Sequence, residues 1–182
     1  MLEFILALAL SIAPAVVGHT ADQPPGAEEY RAKAAILYNL AKFVDWPPET
    51  LLNSSTPLTV CVLGVDPFGS TIDEEVKGRL VGGRPLVVRR IAEVEPGCQV
   101  LFIPASERKR TPVVLDRLGM APVLTVGDAE GFSALGGMIE LITDGDRIRF
   151  AINTAAVDRA KLHLSARLLA IAELRSDDGA VR

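Results

Sequence analysis

The chain has 182 residues, a net charge of −4, 49% hydrophobic residues and a mean hydropathy of +0.29. That length suits one domain, the apolar content supplies a sizeable core and excludes wholesale disorder, and the acidic balance offers no footprint for nucleic acid. Only His19 and His163 are present, and His19 lies in the apolar N-terminal segment, which argues against a histidine-based metal site.

The opening run MLEFILALALSIAPAVVG is apolar and closes on small residues, so residues 1–21 read as a secretory signal peptide. The run is broken by Pro14 and is short for a bilayer span. Glu3 stands where a basic residue is expected, which leaves an uncleaved anchor as the alternative. A polar linker occupies residues 22–29, an α/β domain 30–175 and a frayed tail 176–182.

The first helix is expected from about Ala27 to Asp45 and stops at Trp46-Pro47-Pro48, because a residue before proline avoids the helical region. Ala34, Ile36, Leu37, Leu40, Ala41, Phe43 and Val44 cover half its circumference, so it packs on a sheet. Tyr38, at the edge of that arc, and Trp46, at its end, are left over for a partner. Leu58–Gly64 is a nearly continuous apolar run of β type, as expected of a strand buried on both faces. A helix follows over about Phe68 to Val76, then strands over Pro85–Ile91 and Cys98–Pro104. Ser106 reads as the N-cap of the next helix, with Glu107 just inside. Pro122–Asp128 is a further strand, followed by the glycine-rich loop GDAEGFSALGG. MIELI and RIRFAIN, joined by Thr143-Asp144-Gly145-Asp146, carry a hairpin signal. Asn153 or Thr154, and then Ser165, cap two closing helices. The order predicts an α/β three-layer sandwich with a mostly parallel sheet and an antiparallel C-terminal hairpin at its edge.

No nucleotide-binding or nucleophile-elbow motif is present in the sequence. Ligands of α/β domains bind beyond the carboxyl ends of the strands. Those loops hold Asp66 and Phe68, Ser106 and Glu107, and Asp128 and Phe132, so a small-ligand crevice is one reading and helix caps with glycine turns are the other. Cys61 lies within an expected strand and Cys98 opens another, so they lack the Cys-x-x-Cys spacing of a thiol oxidoreductase. In an exported chain they read either as a disulfide or as two buried thiols. Parallel pairing of their strands would set Cys61 nearer Phe102 than Cys98.

The ordered series KAAILYNLAKFVDWP, VCVLGVDPFG, GRPLVVRRI, CQVLFIPASE, VLTVGDAEGFSALGGMIEL, IRFAIN and ARLLAIAEL resembles the YfiR family across residues 30–174. The resemblance implies a periplasmic α/β protein that is not an enzyme and needs no cofactor. It implies a repressor acting on the periplasmic sensor domain of a membrane-anchored diguanylate cyclase, lowering cyclic di-GMP and biofilm formation, and associated with homodimers. The family's paired cysteines map onto Cys61 and Cys98, which implies a disulfide. The namesake's second cysteine pair has no counterpart in this chain, so redox control through that pair does not carry over.

Overall fold

Leu58–Leu63, Val100–Ile103 and Leu124–Gly127 are buried at every position, and they form the centre of the sheet. The computed structural model describes residues 26–51 and 56–175. The signal segment, the first half of the linker (22–25), residues 52–55 and the tail after Arg175 lie outside the described residues.

In chain order the elements are α1 (Ala27–Lys42), β1 (Val44–Asp45), β2 (Leu58–Leu63), α2 (Thr71–Val76), β3 (Leu80–Val81), β4 (Arg84–Ile91), β5 (Val100–Ile103), α3 (Thr111–Leu118), β6 (Leu124–Gly127), β7 (Ile139–Asp144), β8 (Arg147–Asn153), α4 (Thr154–Arg159), β9 (His163–Leu164), α5 (Ala166–Leu169) and β10 (Glu173–Arg175). The main sheet has the order β10-β8-β7-β6-β5-β2-β4-β3. Its pairs are parallel except β7 with β8 and β3 with β4. Alternation sorts the strand residues onto two faces. Val60, Val62, Val100, Phe102, Leu124 and Val126 meet Ala34, Leu37, Leu40 and Ala41 of α1, with apolar residues of α2, α4 and α5. Cys61, Leu63, Leu101 and Ile103 meet Val114 of α3 and Phe132. The result is the expected three-layer α/β sandwich.

Several boundaries differ from the sequence expectation, each for a local reason. Helix α1 ends at Lys42, because Phe43 leaves the helical region and Val44 pairs antiparallel with Leu164. Ser106 caps no helix; it lies exposed in a 3-10 turn, Ala105–Glu107, and α3 starts later with Pro112 in its first turn. Proline fits there because its missing N–H would be unpaired anyway. The last helix is cut to α5, and Glu173–Arg175 leave it as a parallel strand outside β8. The β7–β8 hairpin therefore lies one strand in from the edge. Asn153 and Ser165 do cap, accepting the backbone N–H groups of Ala156 and Leu168.

Cys61 pairs in register with Leu101, and Cys98 precedes β5, yet a disulfide joins them across a Cα separation of 5.7 Å. That distance lies within the normal disulfide range. The chain before β5 turns back over β2, which register alone does not reveal.

The loop between β6 and β7 is built around Phe132, which is fully buried. A Cβ on Gly127 would stand 2.5 Å from its ring, and one on Gly137 would stand 2.1 Å away. Both glycines are thus required by close approach rather than by backbone angle. Gly137→Ala is expected to lower the unfolding free energy by about 1–3 kcal/mol through overpacking. Adding Phe132→Leu should return part of the loss, as urea unfolding of the single and double variants would measure.

Candidate functional site

The strand order reverses between β2 and β5, because β4 lies on one side of β2 and the chain continues through β5, β6 and β7 on the other. In open α/β sheets the crevice at that reversal, beyond the carboxyl ends, is where ligands sit. Here the crevice is occupied by the chain's own side chains.

Asp66 follows β2 and folds back, its Oδ1 accepting the Phe68 N–H at 2.7 Å, the Asx geometry that starts a turn. Its Oδ2 takes the Arg90 Nε–H at 2.8 Å. Arg90 also grips Asp73 and the Gly69 carbonyl, so one guanidinium fixes the whole 66–73 loop. The hydrogen bond from Arg90 holds the Asp73 carboxyl below the usual carboxylate range. Phe68 is buried, edge-on to Phe102 at 4.8 Å and to Tyr30 at 5.4 Å.

Asp128, at the end of β6, accepts the Lys33 ammonium at 2.7 Å, the Tyr30 hydroxyl at 3.0 Å and the Ala105 N–H at 2.7 Å. The Lys33 and Asp128 side chains are 3% and 2% exposed. Burial, and then the Asp128 charge, push the Tyr30 phenol well above its usual range. Lys33 also pairs with Glu29, one helical turn earlier, and Glu29 accepts the Thr143 hydroxyl at 2.8 Å. The Lys33 bond holds the Glu29 carboxyl low.

Glu107 lays its carboxylate over Gly64, where a Cβ would stand 2.1 Å from Oε1, and Arg110 holds it at 2.9 Å. Ser106 beside it is exposed. On the opposite face of the sheet, Glu140 accepts the Gly131 and Ser133 N–H groups at 2.9 and 3.0 Å and the Ser133 hydroxyl at 2.6 Å. Burial pushes the Glu140 carboxyl up, but the Ser133 and Gly131 donors and the Arg175 charge outweigh it, and its pKa lies below the usual value.

The structure therefore brings Asp66, Phe68, Ser106, Glu107 and Asp128 to one end of the sheet. Phe132 lies in the core of the α3 face. Tyr38 and Trp46 lie elsewhere. Tyr38 is half-buried, its ring facing Arg79 at 4.5 Å and Lys42 at 4.9 Å. Trp46 is half-buried and donates to the Gln99 carbonyl at 3.3 Å, at the amino end of β5. Cavities of about 490 and 270 Å³ border Leu118 at the end of α3, and one of about 210 Å³ borders Trp46. Asp66, Phe68, Ser106, Glu107 and Asp128 line none of these three. Lys33, Arg90 and Glu140 hold this architecture together, and sequence reasoning did not single them out for it. The available signals were a lysine four residues before Leu37 on the apolar stripe and a lone acid inside MIELI.

Fold and site together define a doubly wound α/β protein in which the carboxyl end of the sheet is cross-linked by its own charges. Among the described residues no cluster of His, Cys, Asp and Glu is arranged to hold a metal, and no helix is long and apolar enough to cross a membrane. The chain belongs to the YfiR/HmsC-like family, which it matches over residues 30–173. Comparison with curated proteins finds no match.

Asp128→Ala strands the buried Lys33 ammonium and should cost about 3–5 kcal/mol, with Lys33→Met in the same chain recovering much of it. Chemical denaturation of the three variants would check this. A carboxyl whose pKa falls on folding contributes stability that is complete above its unfolded value and is lost as pH falls through the folded value. Glu140→Gln should therefore be less stable than the parent at neutral pH, and the gap should close as pH drops below about 4.5. Melting temperatures from pH 7 down to 3 would show it.

Proposed function

We propose that this protein is a periplasmic, non-catalytic regulator that binds the external sensor domain of a membrane signalling protein, a diguanylate cyclase, and holds it inactive. The match to the YfiR/HmsC-like family over residues 30–173 carries this reading. The cross-linked carboxyl end of the sheet is in keeping with it, since Asp66, Arg90, Lys33 and Asp128 there are spent on holding the fold. The regulator works by binding one conformation of the sensor better than the other. Moving a sensor from almost wholly active to almost wholly inactive needs a preference of about 10⁴-fold. The half-buried aromatics Tyr38 and Trp46 contribute contact area, since aromatic side chains commonly anchor interfaces.

Titration of the exported chain with the isolated external domain of its cyclase is expected to give saturable binding, weakened about tenfold or more by Tyr38→Ala or Trp46→Ala. Deleting the gene should raise cyclic di-GMP. Absence of binding together with unchanged cyclic di-GMP in the deletion strain would overturn the reading.

A further inference from the structure

The strand-order reversal between β2 and β5 carries a feature that the regulatory reading does not use. Glu107, on the turn after β5, has a side chain only 12% exposed, and its carboxylate rests on the backbone of Gly64 at the end of β2. Gly64 adopts a φ of +70°, and a Cβ at that position would stand 2.1 Å from Glu107 Oε1 and 2.6 Å from Cδ. The absence of a Cβ at Gly64 is thus what lets the Glu107 carboxylate seat itself against the backbone. Arg110 holds the other oxygen at 2.9 Å while reaching Glu93 and the Ala92 carbonyl with its second nitrogen. Arg108 and Lys109, next on the same turn, are exposed and carry no ion pair among the described residues. The other carboxylates around this end are Asp66 and Asp73, bound to Arg90, Asp128, bound to Lys33, Glu93, bound to Arg110 and Arg117, and the exposed Glu130.

We propose that Glu107 is an internal plug, and that the seat formed by Gly64 and Arg110 binds a small carboxylate ligand when Glu107 swings out. The ligand class follows from the occupant: the seat admits a planar anion against a glycine backbone, and Arg110 Nη1, which now donates to Glu107, supplies the charge-assisted bond a carboxylate takes. The position follows from the topology, since the reversal is where doubly wound sheets bind ligands. Glu107 is tethered beside its seat and so competes at a high effective concentration, which keeps the parent protein nearly closed to a free carboxylate. The inference stands apart from the choice of regulatory partner.

The test is a titration with sodium acetate at constant ionic strength, balanced with sodium chloride, following the Gly64 amide and the Arg110 side chain by NMR. Glu107→Ala should half-saturate at an acetate concentration at least about tenfold lower than the parent. Adding Arg110→Ala should abolish that gain. Glu107→Asp, which draws the carboxylate back by one methylene, should fall between the two and serves if the alanine variant does not fold. The proposal fails if chloride moves the Gly64 signal as acetate does, if the Glu107 variants titrate like the parent, or if removing Arg110 leaves the affinity unchanged.

Discussion

The buried pair of Asp128 and Lys33 is the constraint on which the carboxyl end of the sheet depends. Taking either ion out of water costs several kcal/mol even after relaxation, and mutual attraction repays this only when the remaining hydrogen-bonding capacity is used. Asp128 meets that condition by accepting from Lys33, Tyr30 and the Ala105 N–H together. The three donors come from two places, the start of α1 and the turn leaving β5. One carboxylate therefore fixes a helix, a strand end and a turn relative to each other. The rest of this end follows. With α1 fixed, Tyr30 stands edge-on to Phe68, which stands edge-on to Phe102 in β5. With the 105–107 turn fixed, Glu107 lies over Gly64.

The other face of the sheet solves a different problem with the same economy. Covered there by α3 among the described residues, it fills the space beside α3 with Phe132, delivered by the loop between β6 and β7. A buried loop must satisfy its own backbone. Glu140 takes the Gly131 and Ser133 N–H groups, Asn153 donates to the Ser133 carbonyl, and the Thr125 hydroxyl accepts the Met138 N–H. The spacing of glycine, phenylalanine, two glycines and the later acid in VGDAEGFSALGGMIE is thus the specification of one packed loop.

The central strands were legible because burial on both faces writes an unbroken apolar run, as in LTVCVL and VLFI. The hairpin was legible because Asp144-Gly145 is turn chemistry. Asp128 was legible as important but not for its role. A carboxylate at the end of a buried strand looks the same in sequence whether it awaits a ligand or a lysine from a helix 95 positions earlier. Lys33 itself was hidden because periodicity scores a charge on an apolar stripe as noise. The short strands β1, β9 and β10 have two or three residues each, too few to show alternation. Their existence is decided by what lies beside them. The disulfide was legible only through its compartment and through resemblance, since the turn that carries Cys98 back over β2 leaves no periodic trace.

The two ends of the sheet are held by different means, and this bears on the regulatory role proposed above. The carboxyl end is cross-linked by Asp128, Arg90 and Glu107. The amino end of β5, where Trp46 meets Gln99, is bordered by the cavity of about 490 Å³ that Cys98 and Gln99 line. There the covalent bridge to Cys61 stands beside the Gln99 side chain, which accepts the Thr59 N–H at 2.8 Å. A bridge across 37 positions acts mainly by restricting the unfolded chain, so it preserves the fold without filling the space beside it. The loop of Val94–Gly97 and the end of α3 therefore border open volume while remaining tied to the core. A surface with a fixed frame and an unfilled flank can reshape side chains around a partner without ordering new backbone. That keeps the entropic cost of binding low, and so leaves more of the contact energy to discriminate between the partner's two states.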